Sequence, residues 1–476
     1  MTRALVVGSG PNGLAAAIVL LRAGVEVEVR EAADHLGGGL HTEELTLPGF
    51  AHDVCASVLP LALGSPFLRS LELPVEWVHP GAPAAHPLDD GTAVVLERSL
   101  DATAEQLGAD GAAYRKLVAP LVEAWDELAP TLLGRIPPPP RRTLRAIRAA
   151  GFGPLALGAR AALGDARSVA ESLFETERAR AWFAGHCAHS MLPLERRPSA
   201  GFGLSLAVLG HAVGWPFSRG GSGRLAQALA NRVRDLGGTV VTGSPVDELP
   251  QDRLVLADVP PRELVRLAHG RLPNRYERRL LRYRHGPGAF KVDWALDGPI
   301  PWRAEECRRA GTVHLGGTLD EISRSEWGAW SGHVVERPFV LLAQQSLFDD
   351  TRAPAGKQSA WAYCHVANGS EVDMTERIEA QVERFAPGFR ELVLARNTIG
   401  PAGFEARNRN LVGGDLNGGA MDLDQLFRRP TVRAYATPLA GVYLCSASTP
   451  PGGGVHGMCG YWAGKAALES LRAVRR

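Results

Sequence analysis

The apolar positions fall into short blocks separated by glycine-rich turns, and the first block sets the frame. Ala4-Leu5-Val6-Val7 is an unbroken apolar run, as expected of a strand buried on both faces. Gly8-Ser9-Gly10-Pro11-Asn12-Gly13 interrupts it, and residues 14–23 are then apolar at helical length up to Gly24. Residues 25–30 alternate apolar and polar with period two, which predicts a second strand, and Glu31 closes it. Strand, G-x-G-x-x-G, helix, strand and acid, in this order, predict a dinucleotide-binding βαβ unit.

Each residue type has a physical role in such a unit. Gly8 permits a tight turn out of the strand, Gly10 lets a diphosphate approach the backbone, and Gly13 lets the helix pack close to the sheet. Ser9, Pro11 and Asn12 complete the loop, whose amides and helix N-terminus favour negative charge. Glu31 is placed to accept hydrogen bonds from ribose hydroxyls, with Ala32 beside it.

The remaining periodicity predicts buried strands over 253–257, 290–296, 338–343 and 441–445. It predicts helices over 225–236, 375–385 and 458–471. Residues 101–215 carry Ala, Leu and Arg at helical spacing, broken by prolines 137–140, and read as a helical insertion. Arg141, Arg145 and Arg148 share one face there, with Leu144 and Ile147 on another. A solvated arginine-rich helix is the favoured reading, and a basic amphipathic helix in peripheral contact with a membrane surface is the second. Residues 221–226 fit a loosened G-x-G-x-x-A pattern, but 215–218 is no apolar strand to feed it, so a second nucleotide site is disfavoured.

Composition narrows the function classes. The chain has 476 residues, 45% hydrophobic and 22% charged, with a net charge of +1, so nothing points to nucleic acid. Its cysteines (Cys55, Cys187, Cys307, Cys364, Cys445 and Cys459) show neither C-x-x-C nor a metal-like spacing. A metal site, a redox dithiol and a disulfide framework are therefore not expected, and a reducing cytoplasmic setting fits. The chain runs directly into a strand, which reads as no signal peptide, and no apolar stretch has the length of a membrane span.

Further motifs carry a family resemblance. Gly37, Gly38 and Gly39 follow Glu31, then Thr42-Glu43-Glu44 and Pro48-Gly49-Phe50. At the other end, Leu444-Cys445 leads through Ser446 and Ser448 into Pro451-Gly452-Gly453-Gly454-Val455-His456-Gly457. With Ala386-Pro387-Gly388-Phe389-Arg390 and residues 419–427, this resembles the phytoene-desaturase-type FAD-dependent flavoproteins, in particular the pyridine nucleotide-disulphide oxidoreductase domain-containing protein 2 branch. There are departures: Ser446 and Ser448 stand where carotenoid desaturases usually have glycine, and Gly39 where amine oxidases usually have arginine. The first weakens the case for a carotenoid substrate and the second argues against amine oxidation.

The resemblance implies an α/β protein. A Rossmann-like FAD-binding domain of the glutathione reductase type would join a substrate domain of mixed sheet plus helices. The FAD domain would comprise 1–100, 216–274 and 406–476, and the substrate domain 101–215 and 275–405. The cofactor implied is FAD, held by the residues above with Gly37, Gly38, Gly39, Val246, Ser446, Gly454, Val455 and His456. A helix starting after such a loop would stabilise charge on the flavin's pyrimidine edge. The implied reaction is desaturation or saturation of carbon–carbon bonds in an apolar isoprenoid or polyene, by hydride transfer with flavin N5. Oxygen, a quinone or a diffusible carrier would be the electron partner. Alternatives are a flavin amine oxidase, a non-redox flavin isomerase, and a flavin-binding protein retained for partner interaction.

His456 is the one catalytic candidate, with packing beneath the cofactor as the competing role. His52 and Asp53 are expected to be structural, and His211 and His365 ordinary polar or core histidines. Cys445 and Cys459, conceivable flavin attachment points, are expected to be packed in a strand and a helix.

Overall fold

The computed structural model describes residues 2–135 and 138–474. The first strand, β1 (Arg3–Val7), the first helix, α1 (Pro11–Leu21), and the second strand, β2 (Glu26–Arg30), form where the apolar pattern predicts. Pro11 occupies the first turn of α1, where its missing N–H costs nothing. Gly24 turns the chain out again at φ 79°. β1 is the middle of a five-stranded parallel sheet in the order Val442–Leu444, Leu254–Ala257, β1, β2, Thr239–Val241. Three distant parts of the chain thus build one sheet, with the glycine-rich turn 8–13 at its carboxyl edge.

α1 is buried from Asn12 to Leu20, because the sheet covers one side and the final helix, Met458–Val474, the other. Glycines permit that approach: a Cβ on Gly460 would lie 1.7 Å from the Asn12 carbonyl oxygen.

A second, mixed sheet of seven strands runs Val393–Ile399, Gly288–Leu296, Gln358–Val366, Val340–Ala343, Ala310–Leu315, Ala82–Pro87, Ala93–Leu96. Ala310–Leu315 and Ala82–Pro87 pair in parallel and the other neighbours antiparallel. Residues 82–96 therefore join this sheet, although the sequence pattern groups them with the first nucleotide-binding stretch. Alternation identifies a strand but not the sheet it joins. Alternate residues face opposite ways. Val292, Trp294, Val313, Leu342 and Ala362 pack on the helix Thr375–Phe385. On the opposite face, Leu341, Ala84 and Leu96 pack with helices from the 101–215 insertion, including Glu177–Ala188 and Ser199–Ala212.

Within that insertion the helix Pro140–Ala150 buries Ala146 and Ala150 and exposes Arg141, Arg145, Arg148 and Leu144. Of the proline run, Pro137 lies outside the described residues. No described helix is long and apolar enough to cross a membrane. Phe217–Ser218 does form a short strand, but it pairs with Trp77–Val78 outside the parallel sheet. The glycine-rich turn after it is sewn to the 42–53 hairpin. Ser222 N–H donates to Asp53 Oδ1 at 2.8 Å, and a Cβ on Gly221 would lie 2.2 Å from Thr42 Oγ1.

Candidate active site

A cavity of about 770 Å³ starts at the carboxyl edge of the parallel sheet and ends between the mixed sheet and the helical insertion. Its nucleotide end is lined by Gly8, Gly10, Pro11, Asn12, Glu31 and Ala32, with Val246 and Asp258 nearby. Gly38, Gly39, Ser446, Gly454 and Val455 also line it. Most of the residues singled out in the sequence are thus brought to one cleft, from both ends of the chain.

Ser9, Gly13, Gly37 and His456 do not line the cleft but shape it. Glu31 Oε2 accepts from the Ser9 N–H at 2.8 Å and the Ser9 hydroxyl at 2.7 Å, while Glu31 Oε1 accepts from the Ala33 N–H at 3.0 Å. The Gly37 N–H in turn donates to Ser9 Oγ at 3.2 Å. These bonds tie the two glycine loops together. A Cβ on Gly38 would come within 3.4 Å of the Gly10 Cα.

The cradle fits a dinucleotide. Gly10, at the N-terminus of α1, has no side chain where a Cβ would meet Asp258 Oδ2 at 2.7 Å. Asp258 follows the strand Leu254–Ala257, and its Oδ2 accepts from the Gly13 N–H at 2.9 Å. Burial pushes the Asp258 carboxyl up to about 7, against the lowering effect of that hydrogen bond. No motif in the sequence singles out Asp258. Its position at the end of a buried parallel strand is the one available signal.

His456 is buried behind the loop. Its Nδ1 accepts from the Met458 N–H at 3.0 Å, at the start of the final helix, and its carbonyl accepts from Ser65 Oγ at 2.7 Å. Burial pushes the imidazole down to about 4, opposed by hydrogen bonds with the Gly452 and Gly453 backbone. The side chain is thus a neutral brace of the glycine loop. Cys445 and Cys459 are buried and do not line the cavity.

Asp53 sits in a dense hydrogen-bond network, and His52, His211 and His365 each make at least one close polar contact. Asp53 accepts from Thr42 Oγ1 at 2.8 Å and Arg352 Nη2 at 3.0 Å, and Arg352 Nε also pairs with Asp349 at 2.9 Å. His52 Nε2 lies 2.8 Å from Thr46 Oγ1, His211 Nε2 lies 2.6 Å from the Tyr114 hydroxyl, and His365 Nδ1 lies 2.8 Å from Glu326.

The far end of the cavity is not legible in the sequence. Val58, Leu61, Leu206, Trp215, Leu341, Trp361 and Tyr363 line it, and the Trp361 and Tyr363 rings stack at 5.9 Å and 17°. Its polar lining includes His189 and Thr312, whereas the aspartate, glutamate and arginine lining belongs to the nucleotide end. Behind this wall Lys291 is buried, paired with Asp293, with its Nζ 5.5 Å from the Trp361 ring centroid. Among the described residues no cluster of His, Cys, Asp or Glu could hold a metal ion.

Comparison with known proteins agrees with this layout. Residues 6–70 match the family model of the NAD(P)-binding Rossmann-like domain. A mouse protein, pyridine nucleotide-disulfide oxidoreductase domain-containing protein 2, is 27% identical, covering 98% of this chain and 94% of its own. A limonene dehydrogenase chain of Castellaniella defragrans is 30% identical over a segment covering 28% of this chain and 25% of its own. Among solved structures, putrescine oxidase bound to putrescine superposes with a TM-score of 0.61 at 17% identity, covering 99% of both chains.

Proposed function

Because the chain is an FAD-dependent oxidoreductase, related over its whole length to pyridine nucleotide-disulfide oxidoreductase domain-containing protein 2, we propose that it desaturates or saturates a carbon–carbon bond of an apolar, isoprenoid-like substrate. The observation that carries this reading is the division of the cavity. Charged side chains line the nucleotide end, and aliphatic and aromatic ones enclose the far end. The limonene dehydrogenase relative supports an isoprenoid.

When bound, FAD supplies a two-electron acceptor or donor at N5. Gly8, Gly10, Pro11 and Asn12 would hold its diphosphate against the start of α1, with Ser9 and Gly13 setting the loop. Glu31 and Ala32 would sit at the ribose and Val246 at the adenine, while Gly37, Gly38 and Gly39 form the second loop. Ser446, Gly454 and Val455 would hold the flavin side, and His456 would brace their loop. The apolar far wall would orient the substrate and exclude water. Oxygen, a quinone or a diffusible carrier completes the turnover. The exposed arginine face of Pro140–Ala150, beside exposed Leu144 and Phe152, offers peripheral membrane contact as a route for a lipid-soluble substrate.

A second reading, amine oxidation, is favoured by the stacked Trp361 and Tyr363 pair, since aromatic faces attract cations. Anaerobic addition of donors to the FAD-loaded protein separates the two. Bleaching of the flavin bands by an isoprenoid and not by alkyl amines is expected. Bleaching by amines alone would replace the first reading with the second.

A further inference from the structure

The far end of the cavity contains a polar corner that its apolar character does not explain. Thr312 lies on the strand Ala310–Leu315 and lines the cavity at 5% exposure. Its Oγ1 has no hydrogen-bond partner among the described residues and is shielded from the cavity in the present rotamer; rotation about χ1 would turn it to the cavity in place of the methyl group. Buried hydroxyls are normally paired, because an unpaired one has given up its bonds to water without replacement. Within the strand its usual partners are taken: the backbone bonds are used in pairing, and the facing residue across the ladder is Ala343.

The same strand face carries His314, two residues on. His314 Nε2 lies 3.0 Å from Nε2 of His189, which lines the cavity. One of the two must donate. His314 Nδ1 is buried without a partner among the described residues, so a proton there would be an orphaned N–H. The proton of His314 therefore belongs on Nε2, donated to His189, and His189 keeps its own on Nδ1, on the ring edge away from His314. Burial pushes His189 down to about 3, so the pair carries no charge. The Trp215 ring packs edge-on against His189 at 5.6 Å and fixes its plane.

We propose that Thr312 and His189 form a neutral hydrogen-bonding corner that recognises a hydroxyl or carbonyl oxygen on an otherwise apolar substrate. This inference rests on the apolar-substrate reading above. It specifies that the substrate is an oxygenated isoprenoid, an alcohol, aldehyde or ketone, and not a hydrocarbon or a carboxylate. The chemistry follows from the groups. A threonine hydroxyl donates and accepts, a neutral imidazole donates from Nδ1, and neither compensates a carboxylate removed from water.

The test uses the FAD-loaded full chain and four ten-carbon isoprenoids of one skeleton: the hydrocarbon, the primary alcohol, the aldehyde and the carboxylate. Each is titrated while flavin difference spectra give Kd. The alcohol and aldehyde are expected to bind about tenfold more tightly than the hydrocarbon and the carboxylate. Thr312→Val, which keeps the shape, should bring alcohol and hydrocarbon within about twofold of each other, and Thr312→Ser should retain the preference. Equal affinities in the unaltered protein, or a preference that survives both Thr312→Val and His189→Phe, would overturn the corner while leaving the apolar-substrate reading intact. No spectral response to any of the four, with a response to an alkyl amine, would overturn both.

Discussion

The Asp258 carboxylate oxygen accepts a hydrogen bond from the Gly13 N–H at 2.9 Å, joining the end of the strand Leu254–Ala257 to the first turn of α1. A carboxyl group thus stands within the cleft that would take a diphosphate. Burial first, and the Glu31 charge after it, push it up to about 7, opposed by the Gly13 bond. A group raised in this way binds its proton in the folded state while the unfolded chain has released it. Its contribution to stability therefore falls as pH rises from about 4 to about 7, by up to roughly 1.4 kcal/mol per pH unit. FAD affinity should weaken over the same direction, because the ionised carboxylate repels the diphosphate. Asp258→Asn is expected to remove both trends, and melting curves and FAD titrations across pH 5 to 9 would check them.

The buried histidines set the opposite slope. Burial pushes His52 and His189 down to about 3, and His86, His186, His211 and His456 down to about 4. Each is neutral in the folded state and charged when unfolded below about 6.5. Their stabilisation is complete above that pH and is lost as pH falls toward 4. The apoprotein should lose melting temperature steeply below pH 6, and His86→Phe should soften the loss. A melting temperature flat from pH 7 to 4.5 would contradict this.

Arg352 is 1% exposed and satisfies two buried carboxylates, Asp53 and Asp349. Arg352→Ala leaves Asp53 without its cation and Asp349 with only the longer Arg219 contact at 4.0 Å, and should cost about 3–5 kcal/mol of stability, measured by denaturant unfolding. Asp53 also fixes Ser57 and the turn at Ser222, so the variant should lose bound FAD as well.

Gly460→Ala tests how the two ends of the chain meet. Its Cβ would lie 1.7 Å from the Asn12 carbonyl oxygen, which is backbone and cannot move alone. The final helix must shift from α1, at a cost of about 1–3 kcal/mol. Because the loop 451–457 leads into that helix, FAD release should rise together with the loss of stability.

Much of this site is legible in the chain because its signals are local. A strand, the glycines at 8, 10 and 13, and Glu31 lie within one βαβ unit, and Gly454 and Val455 lie in one loop before one helix. The far end of the cavity is not legible. His189, Thr312 and Trp361 come from a helix end and two strands of the mixed sheet, and no spacing in sequence records that they converge. Asp258 lies between these cases, local to a recognisable strand end but of a residue type that no nucleotide motif requires there. Residues 82–96 join the mixed sheet against expectation for the same reason, since pairing partners are set by tertiary packing.

Carbon–carbon bond oxidation is tested most simply by product analysis after anaerobic turnover of the FAD-loaded protein with an oxygenated isoprenoid and an added quinone. The expected product has lost two hydrogens across a carbon–carbon bond, with one quinone reduced to quinol per product molecule; with quinol in place of quinone, an unsaturated isoprenoid would gain two hydrogens instead. An unchanged isoprenoid, together with oxidation of an alkyl amine under the same conditions, would contradict it.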